Sequence, residues 1–452
     1  MISMSLSKAA KAIESKYDGE DIMFSGCSID SRTIEKGNLF IAINGENFDG
    51  HDYVSMAEEK GATALLLERE INHEKPLLKV GDTRKAMGLL ARAWREEMPI
   101  PIVAITGSNG KTTVKEMVSS ILSELSDVHA TSGNLNNDIG VPLTLFGLDE
   151  KHQYAVIEMG ANHLGEIEWL SAIARPNVAV ITQCAPAHLE GFGDIDGVAK
   201  AKAEIYSGLQ SSGTAIINAD DAYAEFWTEQ CKLLNQLSFG IESTNADVTA
   251  KNIQIANQSG STDFELVCSV GAITINLPLS GTHNVMNALA AAACCLSLGV
   301  SLQSIKTGFE KMMPVKGRLQ TKPGMHGARV IDDTYNANPT SLEAALKVLS
   351  SYEGMRYLVL GDMGELGDKA IEFHHDAGIA AKQAGIDRLF TIGDLSINAM
   401  QAYGDGALHF ESYEALNKSL LELLSKDTTI LVKGSRSMQM ERVVSTLTEE
   451  QF

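Results

Sequence analysis

The chain has 452 residues, 44% of them apolar and 21% charged, which suits a soluble globular enzyme of two or three domains rather than one core. A formal charge of −21 argues against nucleic-acid or anionic-membrane partners, which it would repel at long range. Cys27, Cys184, Cys231, Cys268, Cys294 and Cys295 show no Cys-x-x-Cys spacing and read as reduced residues of a cytoplasmic protein, not as a disulfide or zinc framework.

No basic stretch followed by an apolar one opens the chain, so no signal peptide is expected. Residues 1–98 mix short strands near 38–43 and 63–68 with a helix over 84–97. The Glu97-Met98-Pro99-Ile100-Pro101 run predicts a hinge, because proline restricts the residue before it. A second block, 99–314, opens with Ile102-Val103-Ala104-Ile105-Thr106-Gly107-Ser108-Asn109-Gly110-Lys111-Thr112-Thr113. An apolar strand runs into a glycine turn, then into a helix with Val114, Met117, Val118, Ile121, Leu122 and Leu125 on one face. That is a phosphate cradle: glycines let backbone N–H groups close on a polyphosphate, and the helix N-terminus adds positive potential. Lys111 can reach terminal phosphates and Thr112 can ligate Mg²⁺. The loop is a shortened form, since Ile105 stands where the usual consensus has its first glycine.

Apolar runs at 155–159, 178–182 and 214–218 alternate with helical patterns, which predicts a parallel, doubly wound sheet. Residues 264–279 alternate around Gly271 and read as an antiparallel hairpin insertion. The longest apolar run, 288–300, is broken by Ser297 and Gly299 and is too short to cross a bilayer. Glu158 ends a strand beside the cradle and can hold Mg²⁺, or stand as a solvated strand-end glutamate. His188 follows the next strand as a candidate metal ligand or base, or as an ordinary loop histidine. Lys202, on a helix, reads as a surface lysine. His283, Asn284 and Asn287 open an alanine-rich helix, and Asn284 and Asn287 share a face; capping explains one of the three but not the cluster.

Met313-Pro314-Val315-Lys316-Gly317 predicts a second linker, after which 315–452 alternates strands (329–332, 357–360, 389–392, 429–432) with helices such as 341–350 and 370–384. Asp332-Asp333-Thr334-Tyr335-Asn336-Ala337-Asn338-Pro339 crowds polar groups at a strand end, consistent with ligand contact or with turn chemistry. Lys433-Gly434-Ser435-Arg436 supplies local positive charge for a carboxylate or phosphate.

These segments together resemble the Mur ligase family of ATP-dependent amide-forming enzymes. The likeness runs nearly end to end. It includes Ile29-Asp30-Ser31-Arg32, the stretch 45–51, the cradle, the stretch 131–142, Glu158, and the Tyr335–Pro339, Gly361-Asp362-Met363 and Lys433–Arg436 segments, the last three marking the branch that adds D-alanyl-D-alanine. The resemblance implies three α/β domains. Residues 1–98 would bind a UDP-sugar, 99–314 would bind ATP on a parallel sheet, and 315–452, Rossmann-like, would close on ATP and bind the incoming dipeptide.

By position, Gly107, Ser108, Asn109, Gly110, Lys111, Thr112 and Thr113 would hold ATP phosphates, with Asn284 and Asn287 on the adenine side and Arg318 and Asp333 near phosphate and ribose. Thr112, Glu158 and His188 would hold two Mg²⁺ ions, and Lys202 would carry a carbamate, overturning its surface reading. Ser31, Arg32 and Asn47 would lie near the UDP end, Asn136, Asn137 and Asp138 near the peptide, and Tyr335, Asn336, Asn338, Lys433 and Arg436 on the substrate side of the last block. The implied substrates are UDP-N-acetylmuramoyl-tripeptide and D-alanyl-D-alanine, for a monomer without nucleic-acid partners or membrane insertion. The alternatives are a related ligase adding diaminopimelate, lysine or glutamate, and a nucleotide-gated module that hydrolyses ATP without forming a bond. Two departures stand out: Thr182-Gln183 where many relatives carry Asn-Ile, and Gly364 where a larger apolar residue is common.

Overall fold

The computed structural model describes residues 1–45, 48–186, 189–256 and 260–448. Its first segment pairs β1 (Ser3–Ser5) and β2 (Met23–Ser25) as an antiparallel ribbon, followed by a parallel sheet of β3 (Cys27–Ser28), β4 (Leu39–Ile41), β5 (Ala64–Leu67) and β6 (Leu77–Lys79) in that order. Every residue of β4 and β5 is buried, as expected of parallel strands covered on both faces. The helix Thr83–Glu97 starts on the Asp82 side chain, which accepts from the Lys85 N–H. It buries Ala86, Met87, Leu90, Ala91 and Trp94 at helical spacing. These side chains join one core with Leu145, Ile167 and Ile173 of the middle segment, so apolar packing welds the first two segments together. Trp94 adds direction by donating Nε1–H to the Leu148 carbonyl at 3.1 Å.

The middle segment is a nine-stranded sheet: β7 (Ile102–Thr106), β8 (Val128–Ala130), β9 (Tyr154–Glu158), β10 (Val178–Ile181), β11 (Thr214–Asn218), β12 (Asn235–Phe239), β13 (Val248–Ala256), β14 (Ser261–Cys268) and β15 (Gly271–Leu277). Its order is β15-β14-β13-β12-β11-β10-β7-β9-β8, parallel from β8 to β13 and antiparallel at β13-β14-β15. The 264–279 alternation is the antiparallel hairpin it suggested, β14–β15, and it forms the edge of the central sheet. The strand before it, β13, was hidden because its register shifts between Lys251 and Gln254, which breaks its alternation. From β7 the chain passes to β8 on one side and, after β9, to β10 on the other. Such a reversal opens a crevice at the strands' carboxyl ends, where ligands of open α/β sheets bind.

The last segment holds β16 (Gln320–Pro323), β17 (Arg329–Asp333), β18 (Met355–Gly361), β19 (Arg388–Ile392), β20 (Ala407–Phe410) and β21 (Thr428–Lys433), ordered β16-β17-β21-β18-β19-β20, with only β16 antiparallel. It has its own core on each face of the sheet. Among the described residues no helix is long and apolar enough to cross a membrane.

Candidate active site

All five residues of β7 are buried, and the chain leaves it through Gly107 at φ +144° and enters the helix Lys111–Ser123 through Gly110 at φ +82°. A Cβ on Gly107 would stand 1.9 Å from Thr182 Oγ1, and one on Gly110 2.4 Å from Asn287 Oδ1. Only glycine fits either place. Gly110 offers no side-chain cap to the helix, so the first N–H groups stay available to an anion. The loop is held from beneath. Ser108 Oγ donates to the Ala185 carbonyl at 2.8 Å, and the Thr182 hydroxyl donates to the Asn109 carbonyl at 2.5 Å. Thr182, for which the sequence suggested no role, thus fixes the loop. Its position one step beyond the strand that pairs with β7 was the available signal.

Lys111 folds back to donate to the Gly107 carbonyl at 2.7 Å, and burial lowers its pKa, with Glu158 opposing that shift. Glu158 lies opposite Ile105 across the β7–β9 pair and is 2% exposed. Asn136 Nδ2 donates to its Oε1 at 2.9 Å, while Oε2 is buried with no hydrogen-bond partner among the described residues. A carboxylate oxygen left bare in the interior is costly unless a cation or donor completes it. A carboxylate oxygen is the hard donor type that Mg²⁺ takes from a protein, the remaining ligands coming from waters and substrate phosphates. No cluster of three or more His, Cys, Asp or Glu suited to a metal occurs among the described residues, and such a site requires none.

Two cavities meet at this loop. The larger, about 900 Å³, runs from Asp82 and Arg84 past Asn136, Asn137, Asp138 and Glu158 to Ser108–Lys111, and is closed by Arg318, Tyr335, Asn336, Asn338, Gly364 and Arg436. The smaller, about 530 Å³, is lined by Thr113, His283, Asn284, Asn287, Asp333 and Lys433. Asn109, Gly110 and Arg318 face both. Asn284 Nδ2 donates to the Ser280 carbonyl at 2.9 Å, and Asn287 Nδ2 to Asn284 Oδ1 at 3.3 Å. Burial pushes the His283 pKa down to about 4, so the imidazole is neutral near neutral pH. Arg318 lies over the Tyr335 ring at 4.1 Å, its Nε buried with no hydrogen-bond partner among the described residues.

The last segment reaches the loop through Asn338. Its side-chain oxygen caps the helix Pro339–Ser350, and its Nδ2 donates to Asn109 Oδ1 at 2.7 Å. Lys433, opposite Asp333 in the β17–β21 register, donates to Asp333 Oδ2 at 2.5 Å and to the Asn336 carbonyl at 3.0 Å. It holds the Asp333–Asn338 turn and lines the smaller cavity. A side chain on Gly364 would meet nothing closer than Ser435 Cβ at 3.6 Å, so that departure leaves room, not a clash.

Lys202 is 1% exposed, which corrects the surface reading: its helix Ile195–Ala203 turns this residue inward with Val198, Ala199 and Ala201. Its ammonium sits 5.4 Å over the Phe192 ring, and burial, reinforced by Lys111, pushes its pKa down to about 7. Lys202, Gly107 and Thr112 back the site without lining either cavity. Ser31 and Arg32 lie apart from both cavities; Ser31 donates to Met56 Sδ at 3.3 Å and Arg32 pairs with Asp30 at 2.7 Å. His188 and Asn47 lie outside the described residues.

Three family models match consecutive stretches: the Mur ligase family catalytic domain over residues 23–95, the Mur ligase middle domain over 105–295, and the Mur ligase glutamate ligase domain over 317–436. The chain belongs to the Mur ligase family. Among its relatives, UDP-N-acetylmuramoyl-tripeptide–D-alanyl-D-alanine ligase of Escherichia coli is 45% identical, with 99% of both chains covered. The protein of the same name from Haemophilus influenzae is 41% identical over 100% of this chain and 99% of its own. A crystal structure of MurF from Acinetobacter baumannii superposes with a TM-score of 0.94 at 37% identity over the whole of both chains. MurF of Thermotoga maritima, solved in complex with ADP, gives 0.83 at 26% identity, covering 94% of this chain and 97% of that one. In this Mur ligase the cradle, Glu158 and the turn after β17 thus sit on a scaffold whose likeness to solved relatives extends from end to end.

Proposed function

We propose that this chain joins D-alanyl-D-alanine to UDP-N-acetylmuramoyl-tripeptide with ATP, making a peptidoglycan precursor as a cytoplasmic monomer. The observation that carries the reading is the meeting of the two cavities at residues 107–111. One cavity can seat a nucleoside while the other brings an acid to its outermost phosphate. The terminal carboxylate of the tripeptide attacks the γ-phosphorus, the bond to the β-phosphate oxygen breaks, and ADP leaves behind an acyl phosphate. A carboxylate cannot expel oxide, whereas the acyl phosphate can expel phosphate. The amine of D-alanyl-D-alanine, having lost its ammonium proton, adds to the acyl carbon; the tetrahedral adduct sheds a second proton and phosphate, leaving the amide.

Two anions approach in the first step, and Lys111, the free N–H groups of the helix start and Arg318 offset their repulsion. Thr112, Glu158 and His188 would hold the two Mg²⁺ ions, which supply charge neutralisation on the phosphates when bound. A carbamate on Lys202 agrees with a buried amine whose pKa lies near 7. The neutral amine would add to CO₂ and release a proton, replacing a cation with an anion able to support Mg²⁺. Asn284 and Asn287 would face adenine, Arg318 and Asp333 phosphate and ribose, Asn136, Asn137 and Asp138 the peptide, and Ser31, Arg32 and Asn47 the UDP end. Tyr335, Asn336, Asn338 and Arg436 would complete the substrate side.

The test is phosphate release from ATP with purified enzyme and UDP-tripeptide, with candidate acceptors supplied one at a time. Release that requires D-alanyl-D-alanine is expected. Release with diaminopimelate, lysine or glutamate instead would move the chain to another branch, and acceptor-independent release would make it a nucleotide-gated module.

A further inference from the structure

Lys115 is buried to 2% exposure on the helix Lys111–Ser123, one turn beyond Lys111, in a position that no step above uses. Its ammonium donates to the Thr131 carbonyl at 2.7 Å and pairs with Glu116 at 2.8 Å. Thr131 in turn holds β9. Its N–H donates to the Val156 carbonyl at 3.0 Å, and its hydroxyl accepts from the Glu158 N–H at 3.0 Å. The loop that begins at Thr131 ends at Asn136, whose amide orients the Glu158 carboxylate and leaves Oε2 bare.

Otherwise the helix meets β9 through Val114, Met117, Val118 and Val156, apolar side chains of one core. Such packing sets a distance but resists sliding weakly. A charge-assisted hydrogen bond has direction and, in a dry setting, is expensive to break. Resting on the reading that Thr112 and Glu158 hold a cation beside the nucleotide, we infer that Lys115 is a positioning residue. Through Thr131 it fixes the offset between the helix that carries Lys111 and Thr112 and the strand that carries Glu158, and so tunes the Mg²⁺-dependent part of nucleotide affinity.

The experiment is calorimetric titration of ADP into the full-length protein with Mg²⁺ and with a chelator, alongside thermal melting. Lys115→Met should leave ADP affinity in chelator within about threefold of the parent and cut the Mg²⁺-dependent gain about tenfold. Lys115→Arg, which keeps a donor, should restore most of that gain. Thr131→Val, which removes the hydroxyl link to Glu158 but keeps the carbonyl, should reproduce the loss and carries the test should Lys115→Met not fold. An undiminished Mg²⁺-dependent gain in Thr131→Val, or in a folded Lys115→Met that merely melts earlier, overturns the inference. Failure of the parent itself to bind ADP would instead strike the nucleotide reading beneath it.

Discussion

Lys202 in the middle segment and Lys433 in the last are buried to nearly the same depth, 1% and 2% exposed, yet their surroundings differ. Lys433 meets a carboxylate and a carbonyl, and both partners lie in one turn of the cavity wall. Lys202 has an aromatic face and a second cation, Lys111, nearest it electrostatically, with Cys184, Glu166 and Glu204 acting more weakly in the opposite sense. Burial lowers the pKa of both, but at Lys433 the carboxylate of Asp333 works against the shift. The paired lysine therefore reads as architecture. Lys202 has no ion pair among the described residues, and the carbamate proposed for it would replace its buried cation with an anion.

The sharpest way to break this contrast is to remove each amine. Lys433→Met leaves Asp333 buried without its cation and should destabilise the last segment by about 3–5 kcal/mol in denaturant titration, as other broken buried pairs do. A loss below 1 kcal/mol would show that the pair is not structural. Lys202→Ala should keep the fold and lower kcat by about 10²–10³-fold, the scale of removing one preorganised electrostatic group. Added short carboxylates should recover part of the rate. An unrescued variant with full activity removes the carbamate from the mechanism.

The contrast also has a pH signature. In CO₂-free buffer the folded chain releases the Lys202 proton near pH 7, while the unfolded chain keeps it up to about 10.5. The unfolded state thus binds the extra proton across that window, and stability rises with pH through it. Lys202→Met should be more stable than the parent at pH 6, on the order of 5 kcal/mol, with the difference shrinking towards pH 10. Parallel stability curves for the two proteins would show that Lys202 titrates normally.

The difference between the two lysines also marks where the sequence could be read and where it could not. The cradle, β9, β10 and β11 follow from local patterns: apolar runs of five or so residues, glycines at turns, and a helical stripe. Even the shortened loop is legible, because backbone geometry at Gly107 and Gly110 is a property of neighbours along the chain. Lys202 and Lys115 are different. A lysine on a helix is solvated unless the fold turns its face inward, and nothing within a few residues of either announces that. Family resemblance singled out Lys202; packing alone singled out Lys115. β13 escaped for a different reason: the register shift between Lys251 and Gln254 puts Val248 and Ala250 out of phase with Ile253 and Ile255, so no unbroken period of two runs along it.

The smallest expected effect concerns how the last segment engages the cradle. Unlike the first segment, which shares an apolar core with the middle one, it hydrogen-bonds to the loop, among the described residues, through Asn338 to Asn109 at 2.7 Å. Asn338 also caps its own helix, so alanine would mix two losses, the cap alone being worth about 1 kcal/mol. Serine separates them, because it caps as well as asparagine but cannot span to Asn109. Asn338→Ser should therefore melt with the parent and raise the KM for ATP about three- to tenfold, the value of one neutral hydrogen bond, with kcat little changed. An unaltered KM would mean that Asn338 serves only its helix, and that Arg318, facing both cavities, carries the engagement of the last segment with the nucleotide.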